Sequence, residues 1–163
     1  MVRPQFVILG ADHAGFRLKQ RIRRLLEYWM VALEDVGVFT DEVPADYPVV
    51  ALRVAERVIT HPSYTGVLIC GTGIGMSIAA NKVPGIRAAV CHDPLTVRMA
   101  RQHNAANVLC IGSRVVGDMP DDQLALLLRI WLETPFEGGR HQRRLERIHV
   151  YERQLQGVPA RTK

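Results

Sequence analysis

Hydrophobic and polar positions follow two rhythms along this chain: short apolar runs, and longer stretches with apolar residues every three or four positions. Runs at 6–9, 67–70, 87–91 and 108–111 predict buried strands, and 31–36 predicts a weaker one ended by the turn at Gly37. The stretch 16–29 places Leu18, Ile22, Leu25, Leu26 and Trp29 on one helical face, with Lys19, Arg21, Arg23 and Arg24 largely elsewhere. Val50, Val54 and Val58 give 47–59 the same spacing. Residues 76–81 predict a short helix closed by Pro84-Gly85, and 95–103 another. A helix over 123–132 starts after Pro120-Asp121-Asp122, and its apolar residues wrap most of its circumference. Such a helix belongs in a core or against a second subunit.

Five strands alternating with helices predict a single-domain α/β fold over 1–163: a three-layer sandwich around a five-stranded parallel sheet with right-handed crossovers. Ligands of such sheets bind beyond the carboxyl ends of the strands. That rule selects the loops at 10–15, 71–75, 92–93 and 112–114. Leu145, Ile148, Tyr151 and Leu155 give a C-terminal helix, about 140–155, a stripe suited to a neighbouring subunit. Residues 157–163 read as a loose end.

With 48% hydrophobic and 23% charged residues, the chain has an ordinary globular balance. No run approaches the roughly 18 apolar residues of a membrane span, and the N-terminus has no small-residue cleavage site. The net charge of +5 is local. Residues 1–139 hold 14 basic and 14 acidic side chains, whereas 140–163 hold seven and two. A neutral body with a basic tail suits a small anionic substrate or a partner surface better than a nucleic acid. Three cysteines without a CxxC spacing point to a reducing cytoplasm, with Cys91 and Cys110 as small hydrophobes inside apolar runs.

The candidate chemistry centres on Cys70-Gly71-Thr72-Gly73-Ile74-Gly75, where a strand turns into a helix. Three glycines in this stretch allow a sharp turn that aims N–H groups at an anion or a developing oxyanion. Cys70 stands where the positive end of a helix favours a thiolate, a nucleophile or base; it could equally close its strand as an inert residue. Two nucleotide motifs match only in part. GxGxxG requires glycine where Met76 stands, and the P-loop-like spacing of Gly10 and Gly15 lacks the following Lys-Ser/Thr.

Asp12 and His13 lie in a strand-end loop. His103 ends a helix, where a cationic ring also serves the helix dipole. His61, His92, His141 and His149 read as surface residues, and no HxH or HExxH pair suggests a metal. Arg140 and Arg144 share a helical face, as a phosphate clamp or as part of a solvated basic helix; Arg114, at a strand end, is better placed for a ligand.

Together the stretches GADHAGFRLK, DYP, CGTGIGMSIAANKVPGIRAAVC, RQHNAANVLCIGSRVVG and FEGGRHQRR resemble the ribose-5-phosphate isomerase B family, whose relatives include galactose-6-phosphate isomerase subunits. They span nearly the whole chain in order. The resemblance implies a Rossmann-like sheet, a homodimer sometimes paired into a tetramer, and interconversion of aldose and ketose phosphates without metal or cofactor. It implies Cys70 as the base, His103 in ring opening with the His103 region coming from the neighbouring chain, and Thr72 as a proton relay. It places Asp12, His13, Tyr47, Asn104, Arg114, Arg140 and Arg144 around the sugar phosphate, with the backbone of Gly71, Thr72, Gly73, Ile74 and Gly75 on the enediolate. Some branches have Ser at the Cys70 position and a Glu shortly after; Gly75 and Met76 offer no carboxylate here. The implied substrate is ribose 5-phosphate. The alternatives are a six-carbon sugar phosphate, or a binding module without turnover.

Overall fold

The computed structural model describes residues 6–156. Its strands are β1 (Phe6–Ala11), β2 (Leu33–Asp35), β3 (Tyr64–Cys70), β4 (Ala88–Val90) and β5 (Val108–Gly112). Every pairing is parallel, in the order β2-β1-β3-β5-β4. The helices are α1 (Phe16–Tyr28), α2 (Tyr47–Val58), α3 (Ile74–Ala80), α4 (Pro94–Asn104), α5 (Ser113–Val116), α6 (Asp121–Glu133) and α7 (Arg140–Leu155).

Side chains alternate across the central strands and build two cores. Val7, Leu9, Ile69, Leu109 and Ile111 face α1, α4 and α6, whereas Ile8, Leu68, Val108 and Cys110 face α2 and α3. The long apolar helix α6 is therefore internal: Leu124, Leu127, Leu128 and Trp131 are buried, with Leu126 exposed. On α7 only His141 and Leu145 are buried, and Ile148, Tyr151 and Leu155 face outward.

The predicted strands and helices are present, with shifted ends. β1 and β3 are longer than their apolar runs because Ala11 and Tyr64 still pair in the ladder. Two short elements escaped the sequence pattern, the 3-10 turn His13–Gly15 and α5, since one turn leaves no periodicity to read. The stretch 157–163 lies outside the described residues.

Lys19 departs from its expected place off the apolar face: it is fully buried. Its Nζ donates to both carboxylate oxygens of Asp35, at 2.6 and 2.7 Å, and lies 5.1 Å from the centre of the Phe39 ring. Burial lowers the Lys19 pKa while Asp35 holds the charge in place. Asp35 also accepts the Gly37 N–H at 2.9 Å, so one ion pair ties α1 to β2 and to the turn after it. Without Lys19, Asp35 keeps only the longer contact to Arg23 Nη1, at 3.6 Å from the more exposed side, and removing one partner of a buried pair costs about 3–5 kcal/mol. Lys19→Met should therefore lower the urea-unfolding free energy by about that much. Adding Asp35→Asn should restore part of it, because the amide removes the charge and keeps an acceptor for Gly37. A loss below about 1 kcal/mol in the single variant would show the pair to be dispensable.

Candidate functional site

The strand order reverses direction between β1 and β3, which opens a crevice at their carboxyl ends. On the β1 side, Asp12 is buried: its N–H reaches Ile69 O, and its Oδ1 accepts the Gly15 N–H at 3.0 Å. His13 accepts the Ala45 N–H at Nδ1, 3.1 Å, which puts the ring proton on Nε2. The P-loop-like glycines serve packing instead. A Cβ on Gly10 would come within 2.8 Å of Val50 and Val54, and one on Gly15 would strike the Ile69 carbonyl.

On the β3 side, Cys70 is the last strand residue, only 5% exposed, and its Sγ accepts the Gly73 N–H at 3.1 Å. Gly73 has φ +80°, the left-handed turn that starts α3. A Cβ there would also press on the backbone of Cys110 and Ile111, at 3.1–3.3 Å. Thr72 is exposed at the tip, its Oγ1 accepting the Ile74 N–H at 3.3 Å. The Tyr47 ring lies on Gly75, where a Cβ would sit 2.7 Å from it. Arg114 follows β5: its N–H donates to Gly71 O at 3.0 Å, and its guanidinium passes over the Gly71 α-carbon. Met76, which breaks the dinucleotide motif, is a fully buried core residue. Asp12, His13, Tyr47, Cys70, Arg114 and the 71–75 loop thus meet in one crevice.

The other thiols stand apart from this chemistry. Burial pushes Cys91 up to about 11, and it pushes Cys110 upward as well, so both stay protonated at neutral pH.

His103, Asn104, Arg140 and Arg144 are elsewhere. α4 starts at the carboxyl end of β4 and returns to the start of β5, so its 11 residues carry His103 and Asn104 about 16 Å away, to the opposite pole. There His103 stacks on His141, ring centres 4.2 Å apart and planes within 9°. Arg140 Nε donates to His141 Nε2 at 3.4 Å, and Glu137 Oε2 lies 3.6 Å from His141 and 3.9 Å from His103. The His141 pKa is lowered by burial first, then by His103, Arg140 and Arg144. Ligand atoms of His103, Glu137 and His141 come within 4.8 Å of one another. Parallel stacked rings, however, have no point common to both planes where an ion could meet both in-plane lone pairs. A cavity of about 640 Å³ opens at this pole, lined in part by Arg87, Arg101, Asn107 and Phe136.

Of the four histidines read as surface residues, His141 is buried, while His149 and His92 are half-buried and engaged: His149 Nε2 lies 3.3 Å from Arg87, and His92 accepts the Gly112 N–H. Each uses a ring nitrogen on a partner distant in sequence or packs where helices meet, which leaves no local signal; His61 is exposed as expected. Burial lowers the His92 pKa against the opposing pull of Asp93.

The chain matches the Ribose/Galactose Isomerase family over residues 7–148. It is 45% identical over 146 residues to ribose-5-phosphate isomerase B of Escherichia coli, covering 90% of this chain and 95% of that protein. The ribose-5-phosphate isomerase B of Clostridium thermocellum has a TM-score of 0.86 at 43% identity, over 92% of this chain and 99% of that one. That of Mycoplasma genitalium, solved with bound ribulose 5-phosphate, has a TM-score of 0.85 at 39% identity, over 91% and 97%.

Gly73→Ala should lower the melting temperature by several degrees, from about 1–2 kcal/mol of left-handed strain plus a tight contact with the β5 backbone. An unchanged melting curve would mean that the loop has slack.

Proposed function

The chain belongs to the ribose/galactose isomerase family, and we propose that it interconverts D-ribose 5-phosphate and D-ribulose 5-phosphate through an enediolate, with Cys70 as base. The observation that carries this reading is the Cys70 sulfur, fixed by the Gly73 N–H beneath a glycine loop at the sheet's switch point. Isomerisation requires a base beside C2 and donors where charge develops on the two oxygens. As thiolate, Cys70 takes the C2 proton, and the C2–H electrons form the C1–C2 double bond as charge moves to O1. Returning the proton to C1 while O2 becomes the carbonyl completes the ketose. Thr72, at the exposed tip, is suited to carry a proton between O1 and O2, and the loop backbone to hold the enediolate. Asp12, His13 and Tyr47 line the sugar side, and Arg114 extends a cation over the same loop.

Ring opening and phosphate binding call for the remaining groups: His103, Asn104, Arg140 and Arg144. Their position at the far pole supports a homodimer in which each crevice is completed by the partner chain. Apolar side chains are exposed at both ends of such a contact: Ile74, Ile78, Leu95 and Val115 towards the crevice, Ile148, Tyr151 and Leu155 on α7.

Cys70→Ala should lower turnover of ribose 5-phosphate by about 10²–10⁴-fold with the fold retained, in a discontinuous ribulose 5-phosphate assay containing EDTA. Near-normal turnover would remove Cys70 as the base. Mixing inactive Cys70→Ala with inactive His103→Asn after subunit exchange should restore about a quarter of wild-type activity, since half the dimers carry one intact site. No recovery, with heterodimers demonstrated, would argue for a site within one chain.

A further inference from the structure

The β4–β5 ladder ends just short of the crevice. β4 pairs as far as Val90 with Cys110, and the Cys91 N–H still reaches Cys110 O at 3.1 Å. The chain then leaves for α4, so the next N–H on that edge of β5, that of Gly112, has no strand beside it. It donates to Nε2 of His92 at 2.9 Å. An imidazole thus stands in for a backbone carbonyl on the last rung, where an unpaired buried N–H would cost a full hydrogen bond.

Gly112 is also the floor of the glycine loop. It pairs with Cys70 in the β3–β5 ladder, and a Cβ on it would lie 2.7 Å from the Thr72 backbone. Two residues on, the Arg114 N–H holds Gly71 O. The end of β5 therefore sets the height of the loop and the starting point of Arg114, and His92 fixes that end from the side.

We infer that His92 is a positioning residue for the isomerisation, its neutral Nδ1–H tautomer pinning Gly112 and, through it, the loop that holds the reacting oxygens. This rests on the isomerase reading above. Nε2 accepts only when it carries no proton, so the tautomer is dictated by the bond. The ring acts through Gly112 and touches no reacting atom in this arrangement.

Two substitutions separate the acceptor from the bulk of the ring. Glutamine places Oε1 as many bonds from Cα as Nε2; the asparagine amide stops one bond short. His92→Gln should keep kcat within about threefold of wild type, while His92→Asn should lose about 10–100-fold in kcat with KM changed less than about threefold. Both should melt cooperatively. Nitrogen-15 NMR of the wild type should show His92 with a bare Nε2 and a protonated Nδ1, and the Gly112 amide slow to exchange. That protection should survive in the glutamine variant and vanish in the asparagine one. Wild-type kcat in His92→Asn, or a protonated Nε2 in fully active enzyme, would overturn the role of His92 alone. A wild-type protein inert on ribose 5-phosphate, with the bare Nε2 and protected Gly112 intact, would overturn the isomerase reading and with it any role in isomerisation.

Discussion

The contact between the glycine loop and the end of β5 governs the arrangement of this molecule. Gly112 lies against the backbone of Thr72 closer than any side chain would allow, and Gly73, at φ +80°, lies tightly against that of Cys110 and Ile111. Backbone meeting backbone leaves the loop one height and one direction. The Cys70 sulfur, the Tyr47 ring on Gly75 and the Arg114 guanidinium over Gly71 all take their positions from it. The two cores above and below the sheet hold the strands that make the contact possible.

Electrostatics divides the chain into poles. The crevice carries few fixed charges near the sulfur, with Asp12 committed to Gly15 and Arg114 reaching in from the rim. The opposite pole gathers Arg140 and Arg144 around two stacked imidazoles. Their repulsion is tolerable because one partner is the Glu137 carboxylate and because burial favours the uncharged ring of His141. The sequence leaves this basic helix open as a phosphate clamp or a solvated face; in three dimensions its arginines flank the stacked imidazoles and its outer face carries the exposed Ile148, Tyr151 and Leu155.

What the sequence disclosed follows from the range of the interactions involved. Strand runs and helical faces are local patterns, so β1, β3, β5, α1 and α6 were legible, and so was the position of Cys70 and its glycines at a strand end. Lys19 was misread because its counter-ion, Asp35, lies on another element, and helical periodicity carries no trace of a partner in β2. His92 was misread for the same reason: its meaning depends on Gly112, reached only after a complete helix and strand. The placement of His103 opposite Cys70 follows from crossover topology once the strand order is known, and no motif states that order.

The roughly 16 Å span of α4 bears on how such a protein behaves at low abundance. If each crevice borrows its histidine and arginines from a second chain, an isolated protomer has a base without a ring opener, and a phosphate clamp without a sugar to hold. Turnover per chain then becomes a question of mass action, falling with dilution below the dimer's dissociation constant even though every protomer stays folded. Synthesis rate and subunit affinity would tune the flux together, making the exposed stripe on α7 as much a kinetic element as the thiol.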